Sequence, residues 1–258
     1  MNPAVLFLDF DGVLHTDCLY HDDDPHHIHG KPFEYAGRLA DVLDAHPGVE
    51  IVFSTSWQYR ESTEDLRIYL PPRLAERVVG GTADDVAQEY LDNRKSGWMG
   101  TFSRSAGAVS FHDRQSLAEG WMRACRPGAP WLSLDDDTFR FGYRCPRLLH
   151  CQGGFLAPEA ELLQAWLAAP ERDMQEIVRE AAPADPADWT VRDATAAVIY
   201  RDGVPVLDAL PEVLREAALR LMPELTAGRW EALLANWGRT RRGPLLMDKD
   251  EAGKECLP

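Results

Sequence analysis

Asp9 and Asp11 stand two residues apart at the end of the apolar run AVLFLDF, and Gly12 follows them. In an extended chain residues i and i+2 point the same way, so both carboxylates can face one small volume. Two carboxylates that close repel each other unless a cation or a proton intervenes. A second acidic group, Asp135-Asp136-Asp137, ends the segment PWLSL, and a run of hydroxyls, Ser54-Thr55-Ser56, ends EIVF. Acids gathered from separate strand ends form an oxygen-rich nest for a hard cation. Mg²⁺ suits such a nest, because it is held by one or two carboxylates together with waters and a substrate phosphate. Asp9, Asp11, Asp135 and Asp136 are therefore the candidate ligands. The hydroxyls and N–H groups of Ser54, Thr55 and Ser56 suit phosphate oxygens. An isolated strand-end acid is ordinarily a helix cap or a turn former; three polar strand ends in one chain call for a site.

The elements that must position these residues follow from the pattern. Short apolar strands are expected at 4–10, 51–53, 78–79, 130–134 and 147–151. Between them lie helical stretches at 35–46, 62–69, 83–92 and 115–125, with another at 158–168 after Gly153-Gly154, and a polar loop at 93–111. In the first helix Leu39, Val42 and Leu43 share a face, and Pro47-Gly48 ends it. Strands alternating with helices, joined by connections too long for hairpins, predict a three-layer α/β fold with a Rossmann-like parallel sheet. Ligands collect at the carboxyl ends of such strands, where the three polar clusters fall.

After Pro170 the texture changes, so the chain is read as a core over 1–169 and a small C-terminal appendage over 170–258. The appendage is expected to hold a Pro/Ala/Asp linker at 182–189, a hairpin around Asp202-Gly203, helices at 211–222 and 227–237, and a frayed tail. Pro205 confines its arm of the hairpin to an edge.

The segments LFLDFDGVLH, IVFSTSW and WLSLDDD, in this order, resemble the haloacid-dehalogenase (HAD) superfamily of phosphohydrolases. The first motif is matched by Val5 to Val13, the second by Ile51 to Thr55 and the fourth by Trp131 to Asp136. Gly80-Gly81-Thr82 and the turn at Gly153 resemble a minimal-cap subgroup found as stand-alone domains and in RNA-repair proteins. The resemblance covers about residues 1–169. It implies that Asp9 is the nucleophile that becomes an aspartyl phosphate. It implies that Asp11 is the general acid and base, and that Mg²⁺ is held by Asp9, Asp135 and the backbone carbonyl of Asp11, with Asp136 close by. It favours Thr55 as the hydroxyl of the second motif. The basic residue of the third motif is Arg114 in HDRQSLAEGW or Lys95 in NRKSGW, and an arginine there neutralises charge without shuttling protons. The second acid of the pair favours phosphate-ester hydrolysis over dehalogenation.

Other features are weighed beside these. His21, His26, His27 and His29, with three acids in HDDDPHHIHG, read as a solvated loop near the mouth of the site, with a second metal site as the alternative. Trp57 is expected to pack on a neighbouring helix, or else to stack on a substrate ring. Arg239, Arg241 and Arg242, near Trp230 and Trp237, read as a charged helix end rather than a polyanion site. The 258 residues carry 27 basic and 42 acidic side chains, a net charge of −15. That field repels long nucleic acids and anionic membranes, and no apolar run is long enough for a transmembrane helix. Five cysteines without a CxxC pair, and no signal-peptide pattern at the start, point to reduced thiols and a cytoplasmic setting.

The sequence is therefore read as a Mg²⁺-dependent phosphohydrolase of phosphomonoesters. Its phosphorylated substrate is expected to be a nucleotide or a polynucleotide end, a reading the small-cap resemblance favours and the negative charge opposes. The alternative is a HAD-fold binding or regulatory protein whose residues 170–258 dock a protein partner.

Overall fold

The computed structural model describes residues 3–16, 31–84, 114–141, 145–198, 200–201 and 204–226. The histidine-rich segment, Lys95, the helix expected at 83–92 beyond residue 84, the loop at 93–111, the hairpin's Asp202-Gly203 turn, the helix expected at 227–237 and the arginine run near the C-terminus lie outside the described residues.

The strands form one parallel sheet. They are β1 (Val5–Leu8), β2 (Glu50–Phe53), β3 (Val78–Gly81), β4 (Trp131–Asp135) and β5 (Leu148–His150), in the order β3-β2-β1-β4-β5. The central strand VLFL is buried along its whole length, as an apolar strand covered on both faces must be. Its alternate residues serve two different layers. Val5 and Phe7 face α4 (Arg114–Cys125), packing with Ala118 and Met122, and the Phe7 ring meets Trp121 and Trp131 edge-on at 5.8 and 5.5 Å. Leu6 and Leu8 face the opposite layer, which holds α1 (Ala36–Asp44) and α5 (Ala157–Ala168). This is the expected three-layer α/β architecture.

Register brings the polar strand ends together. Leu8 is level with Phe53 on one side and with Leu134 on the other. The next residues, Asp9, Ser54 and Asp135, therefore stand abreast at the carboxyl edge. Ladder bonds from Asp9 N–H to the Leu134 carbonyl (3.1 Å) and from Ser54 N–H to the Leu8 carbonyl (2.9 Å) carry the pairing to that edge.

The helix expected over 62–69 is broken into α2 (Thr63–Leu66) and a 3₁₀ turn, Arg67–Tyr69. Only Leu66 of this stretch is buried, so there is no apolar stripe to hold a longer helix against the core. The short helix α3 (Pro72–Ala75) starts at the second proline, where a missing N–H costs nothing.

Two helices beyond Pro170 were not anticipated by the pattern. Helix α6 (Met174–Ala181) is capped by Asp173 and adds Met174, Ile177 and Val178 to the main core. Helix α7 (Val191–Ala197) opens on a capping box in which Thr190 and Asp193 bond each other's backbone N–H. The hairpin is present as β6 (Tyr200–Arg201) paired antiparallel with β7 (Val204–Pro205), a two-stranded ribbon in which Pro205 is necessarily at an edge. With α8 (Glu212–Leu221), α7 forms a second small core containing Trp189, Ala194, Val198, Ala218 and Met222. Of the described cysteines, Cys125, Cys145 and Cys151 are all free thiols.

Candidate active site

The site is built on the carboxyl edge of β1 and β4. Asp9 and Asp135 are 2% and 1% exposed, and with the half-buried Asp136 they offer carboxylate oxygens within 4.8 Å of one another. Three local features fix them. Asp9 accepts the N–H of Phe10 at 2.8 Å, and Asp135 accepts that of Asp137 at 2.9 Å, so each carboxylate is pinned by the backbone just beyond its own strand. The ring Nε2–H of His150, at the end of β5, donates to the carbonyl of Asp136 at 3.0 Å and steadies the acidic loop. Gly12 lies against Asp136: its φ is +67°, and a Cβ there would sit 2.2 Å from Asp136 Oδ2. Only glycine fits this close approach in this backbone conformation.

Arg114 supplies the positive charge. It opens α4 on the same stripe as the buried Ala118 and Met122, one and two turns along, and this stripe faces the sheet. Its Nη1 lies between the two buried acids, bonded to Asp9 Oδ2 and, at 2.5 Å, to Asp135 Oδ2. Burial disfavours the guanidinium's charge, but the two carboxylates outweigh it and hold the arginine firmly protonated. The acids themselves titrate upwards. Burial raises Asp9 above the ordinary carboxylate range despite the opposing pull of Arg114, and it pushes Asp135 up to about 8. One guanidinium therefore does not fully compensate two buried carboxylates. An all-oxygen donor set with charge to spare fits a hard divalent cation.

Asp11 has a different environment. Its carboxylate is not part of that cluster but is turned towards two rings. Trp57 Nε1–H donates to Oδ2 at 3.0 Å, and His15 Nε2 lies 3.1 Å from Oδ1. The two aspartates of the first motif thus end in separate settings, one enclosed with the other acids and one held at a partly exposed position.

Of the hydroxyl cluster, Ser54 and Thr55 are buried and Ser56 is half-buried. Thr55 caps the 3₁₀ turn Ser56–Tyr59, its Oγ1 3.4 Å from the Trp57 N–H. Ser54 Oγ has no hydrogen-bond partner among the described residues. Gln58 braces the next strand end: it donates to the Thr55 carbonyl at 3.1 Å and accepts from the Ala83 N–H at 3.1 Å. Gly81 leaves room for it, since a Cβ there would lie 2.3 Å from Gln58 Oε1.

The structure thus brings Asp9, Asp135, Asp136 and Arg114 together, places Ser54 level with Asp9, and sets Asp11 beside them with Trp57. Sequence reasoning missed His15, and it missed Trp57 as a hydrogen-bond donor. The available signal was spacing, since His15 follows Asp11 by four residues across a glycine turn.

A family model described as the HAD domain in Swiss Army Knife RNA repair proteins matches residues 5–160. The chain belongs to this family. Every residue of the acidic cluster, together with Arg114 and the hydroxyl run, lies inside the matched HAD domain, and membership points to phosphohydrolase chemistry. No curated protein and no solved structure matches the chain. No helix among the described residues is long and apolar enough to cross a membrane.

Proposed function

We propose that this HAD domain is a Mg²⁺-dependent phosphohydrolase that cleaves phosphomonoesters through an aspartyl phosphate on Asp9. We further propose that its substrate is a nucleotide or the phosphorylated end of a nucleic acid. The observation that carries this reading is the contrast between the two acids of the first motif. Pairs of carboxylates in unlike environments are how one site keeps a nucleophile and a proton donor side by side.

In this reading a carboxylate oxygen of Asp9 attacks phosphorus, forming an Asp9–O–P bond as the ester P–O bond breaks. Asp11 gives its proton to the departing oxygen. It then takes a proton from water as that water attacks the acyl phosphate, which releases inorganic phosphate and restores Asp9. Arg114 favours the ionised form of Asp9 and offsets charge on the phosphoryl oxygens. Ser54, Thr55 and Ser56 line the strand end where those oxygens would rest, and the Ser54 hydroxyl, without a partner among the described residues, would donate to one of them. Asp9, Asp135 and Asp136 would hold Mg²⁺, with the Asp11 carbonyl as a further ligand; bound there, the ion supplies Lewis-acid stabilisation of phosphoryl charge. The RNA-repair family supports a polynucleotide end as substrate.

The test is phosphate release from small phosphomonoesters, nucleoside 3′- and 5′-monophosphates, oligonucleotides with 3′- or 5′-phosphates and phosphopeptides, each with Mg²⁺ or EDTA. Turnover is expected only with Mg²⁺ and is expected to vanish in Asp9→Asn. Phosphate release that survives Asp9→Asn would contradict the reading. A marked preference for phosphopeptides would contradict its substrate class.

A further inference from the structure

The first-motif loop is folded back on itself in a way that the chemistry of Asp9 does not require. Phe10 accepts from the N–H groups of Val13 and Leu14 at 3.2 and 2.8 Å, Gly12 takes its positive φ, and an isolated backbone bridge joins Asp11 to His15. The result lays the fully buried His15 ring against Asp11 Oδ1, while Trp57, from a separate strand end, reaches Oδ2.

Both rings are themselves held. Trp57 packs edge-on against Phe10, Phe33 and Tyr69, with centroids 5.6, 5.8 and 5.5 Å away. His15 packs on Phe33 at 5.0 Å and on Trp57 at 6.0 Å. Phe33 occupies the left-handed region at φ +54°, which is costly for an aromatic residue and persists only where the surroundings impose it. His15 Nδ1 has no hydrogen-bond partner among the described residues, so the one polar contact that the structure gives this ring is the one to Asp11. A buried imidazole that leaves one nitrogen unsatisfied in an aromatic box is poor design for stability alone.

We propose that His15 and Trp57 are positioning residues for the proton-donating carboxylate. One nitrogen on each carboxylate oxygen fixes the plane of Asp11, so that its proton lies along the line to the leaving oxygen. The inference rests on the phosphohydrolase reading above. An ionised carboxylate only accepts, so with Asp11 ionised both rings donate: Trp57 through Nε1–H and His15 through Nε2–H. Neither ring touches the phosphoryl group in this account. Their effect falls on the two steps in which Asp11 moves a proton, delivery to the leaving oxygen and later capture from the attacking water.

The first of these steps can be tested by itself. An alkoxide leaving group needs the proton, whereas p-nitrophenolate departs without it. The experiment compares the single-turnover rate of leaving-group release, with enzyme in excess, for a nucleoside 3′-monophosphate and for p-nitrophenyl phosphate in wild type, Trp57→Phe, His15→Leu and His15→Gln, all with saturating Mg²⁺. Trp57→Phe keeps an aromatic ring against Phe10, Phe33 and Tyr69 and removes only the donor. His15→Gln keeps a donor at the reach of Nε2. For Trp57→Phe and His15→Leu the loss in this rate on the nucleotide is expected to be about 10–100-fold, the scale set by misplacing a general acid. The loss on p-nitrophenyl phosphate is expected to be at least tenfold smaller, and His15→Gln is expected to recover most of the nucleotide rate.

Equal losses on the two substrates would mean a merely structural role and would overturn the inference while leaving the phosphohydrolase reading intact. So would full activity in Trp57→Phe, which decides the matter even if both His15 variants fail to fold. Wild type inactive on both substrates would overturn the phosphohydrolase reading and this inference with it.

Discussion

At the scale of single residues, the site gathers charge in a small buried volume. Arg114 is the one cation bonded to both Asp9 and Asp135 among the described residues, so Arg114→Met should be costly in two ways. Activity should fall by about 10²–10³, the usual loss when one preorganised charge donor is removed. Stability should fall by about 3–5 kcal/mol, because a buried pair loses one partner; phosphate release and urea unfolding measure the two effects separately. Asp135 gives a pH prediction with a definite sign. Its folded pKa is pushed up to about 8 by burial, against 3.8 for an ordinary aspartate, so the folded protein binds this proton more tightly than the unfolded chain. The stabilisation is complete below about pH 4 and is lost as pH rises towards about 8. Metal-free protein should therefore show a falling unfolding midpoint across that window. Added Mg²⁺, which needs the ionised carboxylates, should raise the midpoint more at pH 8 than at pH 5; a flat profile without metal would contradict this. Gly12→Ala places a methyl on Asp136 and should weaken Mg²⁺ binding, read by titration calorimetry, with little change in secondary structure.

At the scale of elements, the parallel strands are what make the acids meet. Phe7 sits between β1 and α4, the helix that carries Arg114. Phe7→Ala should cost about 3–5 kcal/mol of stability and loosen the seat of Arg114, so activity should drop more steeply with added urea than in wild type. The sheet and its polar carboxyl edge are legible in the sequence, because VLFL, EIVF and WLSLD are apolar runs whose period and punctuation leave few other readings. Which basic residue meets Asp9 is less legible. Arg114 and Lys95 both precede the fourth motif, and only the docking of α4 by Ala118 and Met122 points Arg114 inwards. Of the contacts with Asp11, that of His15 has only its four-residue spacing as a hint and that of Trp57 has none, since they depend on a turn at Gly12 and a 3₁₀ turn after Thr55, neither of which a periodicity announces. Helices α6 and α7 carry usable signals, an Asp173 cap and a Thr190–Asp193 box, on either side of the Pro/Ala/Asp stretch at 182–189 that reads as linker.

At the scale of the whole molecule, helices α6 and α7, beyond residue 169, are tied to the HAD domain. Met174, Ile177 and Val178 share its core, and Arg192 of α7 bonds Glu159 of α5 in a contact where both side chains are buried. Arg192 also reaches the carbonyl of His150 at 3.3 Å, and the His150 ring in turn holds the carbonyl of Asp136. Cutting the chain after residue 169 should therefore yield a fragment with a lower unfolding midpoint and weaker Mg²⁺ binding than a fragment ending at 226. A double-mutant cycle is the finer probe. Arg192→Met alone should cost about 3–5 kcal/mol by stranding a buried carboxylate, and adding Glu159→Gln should return part of that loss. Strict additivity of the two changes in urea unfolding would show that the pair does not act as a unit.

The central claim is that Asp9 becomes covalently phosphorylated, and it can be observed directly. Asp11→Asn should form the intermediate from p-nitrophenyl phosphate, whose leaving group needs no proton, but should hydrolyse it slowly. Quenching that variant during turnover, reducing with borohydride and sequencing the peptides by mass spectrometry should find homoserine in place of Asp9. A burst of p-nitrophenolate with Asp9 unmodified, or label on another residue, would contradict the account.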